Sequence, residues 1–409
     1  MAGPVWVVCW RYPVLSETIV PTEVAELIRQ GVAAVLVPLH KPAGASETFD
    51  IAEDSIMRPS GWPSGRLGQV LMMLSALSRS PAGASRLIRR LPSSTGDDAR
   101  GAFVSAIQIL RSAAGKPRPR HVHAHFGGHL AHVAVLLASW FRCSWSVTAH
   151  AKDIYTKPER LKADFRGAAF VRTISRHGQE WVAANANLGS LDRIPLIHCG
   201  VDTETLRPAA FMKGTSMAFR VVSVGRLVPK KGHDLLVAAI ATLRSQGLDL
   251  ECEIIGDGPE RDRIAALIQS QGLAGRVHLA GAIGREAMLR KVADADLVVL
   301  ASRVTEDGDQ EGIPLALMEA MALGTPVVAG DVGGTSELVD GAGVLFDGRS
   351  AESLANAILQ IVTLEPADFA ALRDRCRRRV EGEFSLRDNV AHLKERLVFA
   401  MGAEHRGAW

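Results

Sequence analysis

Short apolar runs alternate with segments of helical period along almost the whole chain, and nothing else in the sequence constrains the fold as strongly. Runs of four to eight residues bounded by turn signals, with helices between them, are the pattern of βαβ units in a parallel sheet. In the first half the strands are expected at Val5–Trp10, Val35–Leu39, His121–Ala124, Ser146–Ala149, Phe170–Ile174 and Ile194–Ile197. In the second they are expected at Arg220–Val224, Leu250–Ile255, Val277–Leu279, Leu297–Leu300, Pro326–Val328 and Val344–Leu345. The 409 residues suit two domains, because one core seldom grows beyond about 250 to 300 residues. The expected division is an N-terminal domain over 1–204, a C-terminal domain over 205–385 and a last helix over 386–409 that packs back on the first domain. The stretch 61–115 breaks the rhythm and reads as an insertion with helices of its own, such as Leu67–Leu77 and Ala102–Arg111.

The formal net charge of +3 is too small to suggest nucleic acid as a partner. Five cysteines, Cys9, Cys143, Cys199, Cys252 and Cys376, lie far apart without paired spacing. They read as reduced, buried thiols, not as a disulfide framework or a zinc knuckle. The N-terminal run lacks a basic segment and a cleavage-type site, and no run of about 18 apolar residues occurs. A cytoplasmic location is therefore expected.

Two carboxylates, Glu311 and Glu319, bracket seven residues. Pro314 suits the first turn of a helix, so a helix is expected from near Gly312 to about Leu323. Glu311 would then sit beside the free backbone amides of the helix start, a place that favours a diphosphate or a sugar hydroxyl network. Glu319 would reach another part of the same ligand. The loop before them, Glu306–Gln310, follows the strand ending at Leu300, at the carboxyl edge where open α/β sheets bind ligands.

A second element lies at the same edge. The run Val224–Gly232 (VGRLVPKKG) follows a strand and leads into a helix. Arg226 and Lys231 project from it and could neutralise a diphosphate in the ground state and as it leaves. Gly225 and Gly232 let the backbone turn and come close to a ligand.

With these segments stated, the sequence resembles the family-four retaining glycosyltransferases of the GT-B fold. VGRLVPKKG, then IIGDGPE, then DQEGIPLALMEAMALGTPVVAGDVGGTSELV follow the order and spacing of that family. In the first half RYPVLSETIVPTEV, HVHAHFG, TAHAKDIY and IHCGVD resemble segments of bacterial exopolysaccharide and colanic-acid-type transferases. The loop Tyr12–Thr18 stands where many relatives carry a Gly-rich loop.

The resemblance implies two doubly wound Rossmann-like domains facing a central cleft. It implies roles for Arg226 and Lys231 on the donor diphosphate, Glu311 on the donor sugar and Glu319 on the ribose. Gly312, Ile313 and Pro314 would present the helix start. His150 would lie at the transferred sugar with Asp153 nearby, and Ser16, Glu17 and His125 would meet substrate. The co-substrate would be a nucleotide diphosphate sugar, UDP- or GDP-linked, with no cofactor and no metal. The acceptor would be a carbohydrate or a lipid-linked carbohydrate, and the product would keep the anomeric configuration.

Other features allow other readings. His121, His123 and His125 share one face of a strand, followed by His129 and His132, yet nothing supplies the remaining parts of a zinc site. Asp294, Asp296, Asp307 and Asp309 read as loop carboxylates. Arg58, Arg66, Arg79, Arg86, Arg89 and Arg90 lie near apolar helical segments, a composition that suits a solvated face or peripheral contact with the inner membrane surface. The run Arg373–Arg379 reads as the outer face of a late helix. A sugar phosphorylase, an epimerase of related fold and an inactive nucleotide-sugar-binding protein are the alternative functions. The inactive protein would be expected to lack Glu311 or Lys231, and both are present.

Overall fold

The computed structural model describes residues 3–13, 18–40, 49–61, 63–89, 97–208 and 218–402. Its strands are the apolar runs: β1 (Val5–Arg11), β2 (Ala34–His40), β3 (His121–His125), β4 (Ser144–Ala149), β5 (Val171–Thr173), β6 (Phe219–Val224), β7 (Leu250–Ile255), β8 (Val277–Gly281), β9 (Leu297–Leu300), β10 (Val327–Gly330) and β11 (Val344–Phe346). Every residue of β3, β9 and β10 is buried. That follows from parallel pairing, because crossover helices cover both faces of such a sheet.

The chain divides into two compact units. The first comprises Met1–Ile174, Gly178–Ile197 and Val390–Trp409; the second comprises Ser175–His177 and His198–Asn389. The first unit holds a five-stranded sheet in the order β2-β1-β3-β4-β5. The second holds a six-stranded sheet in the order β11-β10-β9-β6-β7-β8. All the pairings are parallel. In each sheet the order reverses once, between β1 and β3 in the first and between β6 and β9 in the second. Those reversals open a crevice beyond the strand ends, where ligands of this architecture bind.

Ile194–Ile197 does not form a strand. Leu196 makes only an isolated bridge to Thr173, because Pro195 in the middle of the run has no N–H to give a ladder. The 61–115 stretch forms helices Arg66–Leu77, Pro81–Arg89 and Asp97–Ser112. They extend the core over the apolar helix His129–Phe141. Gly83 permits this close approach: a Cβ there would stand 2.8 Å from the Trp140 ring.

Arg377 and Arg379 of helix Pro366–Glu383 do not form an outer face. Arg377 donates to the carbonyls of Thr203, Leu206 and Ala322, and Arg379 to that of Glu337. The Ala322 carbonyl lies at a helix end, where it lacks a partner within the helix, so an arginine supplies one. Helix Leu386–Gly402 starts in the second unit and ends in the first. There Lys394 Nζ donates to the Gln30 carbonyl at 2.7 Å and Ser144 Oγ to the Ala400 carbonyl at 2.8 Å.

Candidate functional site

In the second unit, β6 delivers Gly225 and Arg226, and a short turn, Pro229–Lys231, brings Lys231 back over the strand end. The Lys231 stem lies across Gly225: a Cβ on that residue would stand 3.3 Å from both Cδ and Cε. Lys231 Nζ meets Glu311 Oε1 at 2.8 Å. Ser302, just beyond β9, donates to the same oxygen at 3.0 Å. Both bonds fall on Oε1, which leaves Oε2 to meet a ligand. The pair therefore spans the point where the strand order reverses. Arg226 is exposed on the same rim.

Burial alone would raise the Glu311 carboxyl, but Lys231, Lys230 and the hydrogen bonds from Lys231 and Ser302 hold it below its ordinary value. Glu311 is thus a buried, fully ionised carboxylate. His233, the first residue of the following helix, is pushed down to about 4 by burial and then by Lys231, so its ring stays neutral.

The helix after Glu311 spans Leu315–Ala322, starting later than the proline suggested. Pro314 is its N-cap in extended backbone, with φ −71° and ψ 116°. Its carbonyl accepts from the Leu317 and Met318 amides. Two glycines hold residues 311–314 in this open form. A Cβ on Gly333, whose φ is +56°, would lie 2.0 Å from the Glu311 carbonyl oxygen. One on Gly334 would lie 2.6 Å from that of Gly312. Backbone touches backbone in the same way at Gly232, Gly256 and Gly330, where a Cβ would fall within 2.0 Å of the carbonyls of Ala301, Gly225 and Ser302.

Glu319 is buried and accepts on Oε1 from Arg285 Nε at 3.0 Å and Nη2 at 2.7 Å. Sequence reasoning missed Arg285, although Gly284 before it marks a helix start. Asp309 pairs with Lys230 at 3.0 Å and Asp296 accepts from the Arg220 amide, so these carboxylates brace loops.

In the first unit, β3 ends at His125 and β4 leads directly to His150, the N-cap of helix Ala151–Tyr155. The His150 amide donates to Asp153 Oδ2 at 2.9 Å. Burial raises Asp153 to about 6 against the His150 and Gly127 amides, which lower it. Burial takes His150 down to about 4, with Glu23 opposing and Arg172 assisting. The His150 ring packs on Phe126 with centroids 4.3 Å apart, and Phe126 has a φ of +80°. Such backbone in a bulky residue is strained and clusters at functional sites. His125 Nδ1 and His150 Nε2 are buried without a hydrogen-bond partner, two polar atoms that a ligand hydroxyl could satisfy.

Beneath them lies a feature no motif announced. Arg172 donates to both oxygens of Glu23 at 2.8 and 2.7 Å, and His125 Nε2 lies 3.4 Å from Glu23 Oε2. Ser16 and Glu17 fall outside the described residues.

The other histidines are structural. His121 bonds Ser144 and Ser146, His123 bonds Ser146 and Thr148, His129 bonds Ser105 and His132 pairs with Asp164. Among the described residues no group of three or more His, Cys, Asp or Glu side chains could hold a metal ion. No helix among them is long and apolar enough to cross a membrane. The five cysteines are buried and form no disulfide among the described residues.

Comparison with known proteins places this geometry. Residues 213–381 match the family model described as glycosyl transferases group 1. A protein named as the colanic acid biosynthesis glycosyltransferase WcaL of Escherichia coli is 34% identical over 47% of this chain. That alignment spans about half of the relative, 48% of its length. The Salmonella typhimurium protein of the same name is 27% identical over 92% of this chain and 94% of its own. Among solved structures, sucrose-phosphate synthase from Thermosynechococcus elongatus superposes with a TM-score of 0.74 at 21% identity, covering 97% of this chain and 99% of the other. Anabaena HepE, solved with UDP and glucose, gives a TM-score of 0.68 at 19% identity, covering 97% and 99%. At these identities the structural likeness establishes the fold, which is GT-B.

Proposed function

We propose that this chain, whose residues 213–381 match the group 1 glycosyl transferase model and whose fold is GT-B, moves a hexose from a UDP- or GDP-sugar to a carbohydrate or lipid-linked carbohydrate acceptor. The transfer retains the anomeric configuration, needs no metal ion and serves the assembly of a cell-surface or exopolysaccharide. The names of the colanic acid relatives and the UDP-bound state of HepE support the substrate class.

The observation that carries the reading is the Lys231–Glu311 pair at the strand-order reversal, with Glu311 Oε2 left over. As the glycosidic C–O bond breaks, negative charge grows on the departing phosphate. Lys231 has three N–H donors and uses one on Glu311, so the others can meet the diphosphate, joined by exposed Arg226. Glu311 Oε2 takes hydroxyls of the donor sugar. Glu319, steadied by Arg285, is the carboxylate on the ribose. In the first unit His150 and His125 offer their unpartnered ring nitrogens to the transferred sugar and the acceptor, over the Glu23–Arg172 pair.

The test is calorimetric titration with UDP, GDP and their sugar conjugates in EDTA, coupled to NMR of the product anomer. Glu311→Gln should keep nucleotide binding and lose turnover by on the order of 10²- to 10³-fold, the usual loss for one transition-state contact. Lys231→Ala should weaken nucleotide binding as well. An inverted product, dependence on added metal, or near-native activity in both variants would overturn the assignment.

A further inference from the structure

Alternate residues of β3 put His121, His123 and His125 on one face. His121 bonds the hydroxyls of Ser144 and Ser146, and His123 those of Ser146 and Thr148, so each of these rings lies across two hydroxyls of β4. The ladder stops at His125. Its register partner is Thr148, whose hydroxyl already serves His123, and two residues further on stands His150, which has no hydroxyl. His125 turns Nε2 toward Glu23 instead, 3.4 Å from Oε2, and leaves Nδ1 buried without a hydrogen-bond partner.

Glu23 comes from helix Ile19–Arg29 and Arg172 from β5, and their side chains are 1% and 0% exposed. Arg172 donates from Nη1 and Nη2 to the two carboxylate oxygens and from Nε to the Ile197 carbonyl at 2.9 Å. A buried ion pair adds little net stability over two apolar side chains of the same volume. What this one supplies is an acceptor at a fixed place with its charge already cancelled. A bare carboxylate beside a histidine would favour the imidazolium, in which both nitrogens are donors. With Arg172 on both oxygens, the carboxylate still accepts an N–H but no longer draws a second proton onto the ring. Burial, then His150 and Arg172, hold His125 well below its ordinary value, in the same direction. The neutral ring has one N–H and one bare nitrogen, and the partner of one decides the state of the other.

We propose that Glu23 is a positioning residue: it holds the His125 proton on Nε2, so that Nδ1 is a hydrogen-bond acceptor beside the His150 ring. A ligand group that satisfies such a nitrogen must donate. The position therefore selects a hydroxyl of the transferred sugar or the acceptor and disfavours a carbonyl, an ether or a carboxylate there. That consequence for substrate rests on the transferase reading, whereas the tautomer does not.

The experiment is NMR of the full-length protein, isotope-labelled in its histidine ring nitrogens, with His125→Gln identifying the His125 signals. The wild-type ring should be the neutral Nε2–H tautomer. The double variant Glu23→Leu/Arg172→Met exchanges the pair for apolar side chains, so its melting temperature should stay near that of the wild type while His125 loses its preference for Nε2–H. Turnover of UDP-glucose or GDP-mannose should fall at least about tenfold, the loss expected when the group that orients a histidine is removed, with binding of UDP and GDP unchanged. An Nδ1–H ring or an imidazolium in the wild type overturns the proposal, whether or not the double variant folds. So does a folded double variant that keeps the wild-type tautomer, or one whose tautomer has shifted and whose turnover is that of the wild type. A wild type that consumes neither nucleotide sugar and shows the Nε2–H ring would count against the transferase reading and uphold the assignment of Glu23.

Discussion

Asp153 sits where burial works against its charge, and the consequence is a pH dependence of known sign. Its carboxyl ionises near 3.8 in the unfolded chain and at about 6 in the folded one. Folding therefore takes up a proton between those values, and the folded state loses stability as pH rises from about 4 to about 6 and no further above. Asp153→Asn keeps an acceptor for the His150 amide and removes that loss. Its melting-temperature advantage over the wild type should grow between pH 4 and pH 6 and then level off. A difference that is flat across this range would mean the carboxyl titrates as an ordinary one. Other partnerships at this scale were hidden from sequence reading. Glu23 and Arg172 lie 149 residues apart, so neither a periodicity nor a local motif links them. What the sequence does offer is a weaker signal: an arginine inside a buried strand must be paired, since an unpaired buried charge is too costly to keep.

At the level of elements, the strands were legible because most are short, largely apolar runs between turn signals, and Leu250–Ile255 and Leu297–Leu300 agree residue for residue. The start of the helix after Glu311 was not legible. Pro314 fits the first helical turn and the N-cap equally well on local grounds. The choice is made by Gly333 and Gly334, which crowd residues 311–314 from another loop. Tertiary contact here overrides local preference. Gly333→Ala tests the clamp. A left-handed φ and a carbonyl oxygen 2.0 Å from the new Cβ should cost about 1 to 3 kcal/mol of stability in a denaturant melt. They should also lower turnover at least about tenfold by shifting Glu311. Full activity would show that the loop can move aside without disturbing the carboxylate.

For the whole molecule, the helix Leu386–Gly402 belongs to both units. Beyond Val390 it buries Leu393 and Leu397 to 1% and 0% exposure and is anchored through Lys394 and Ala400. Truncation after Asn389 would expose the surface those leucines cover, at about 1.5 to 3 kcal/mol for each. Scanning calorimetry of the truncated chain should show a lowered transition for the first unit, while that of the second stays in place. A truncated chain that melts as the wild type would make the helix an appendage.

The glycines that hold backbone against backbone at 232, 256, 330 and 333 have a further consequence, for how such a molecule could diverge. Loops in contact through their main chains cannot be reshaped one side chain at a time, since every first step collides with a carbonyl. A descendant of this chain that took a new donor would have to begin at positions where a changed side chain meets no backbone. A saturation library scored only for folded expression should therefore draw the outline of the pocket as a ring of intolerant glycines, before any sugar has been offered to it.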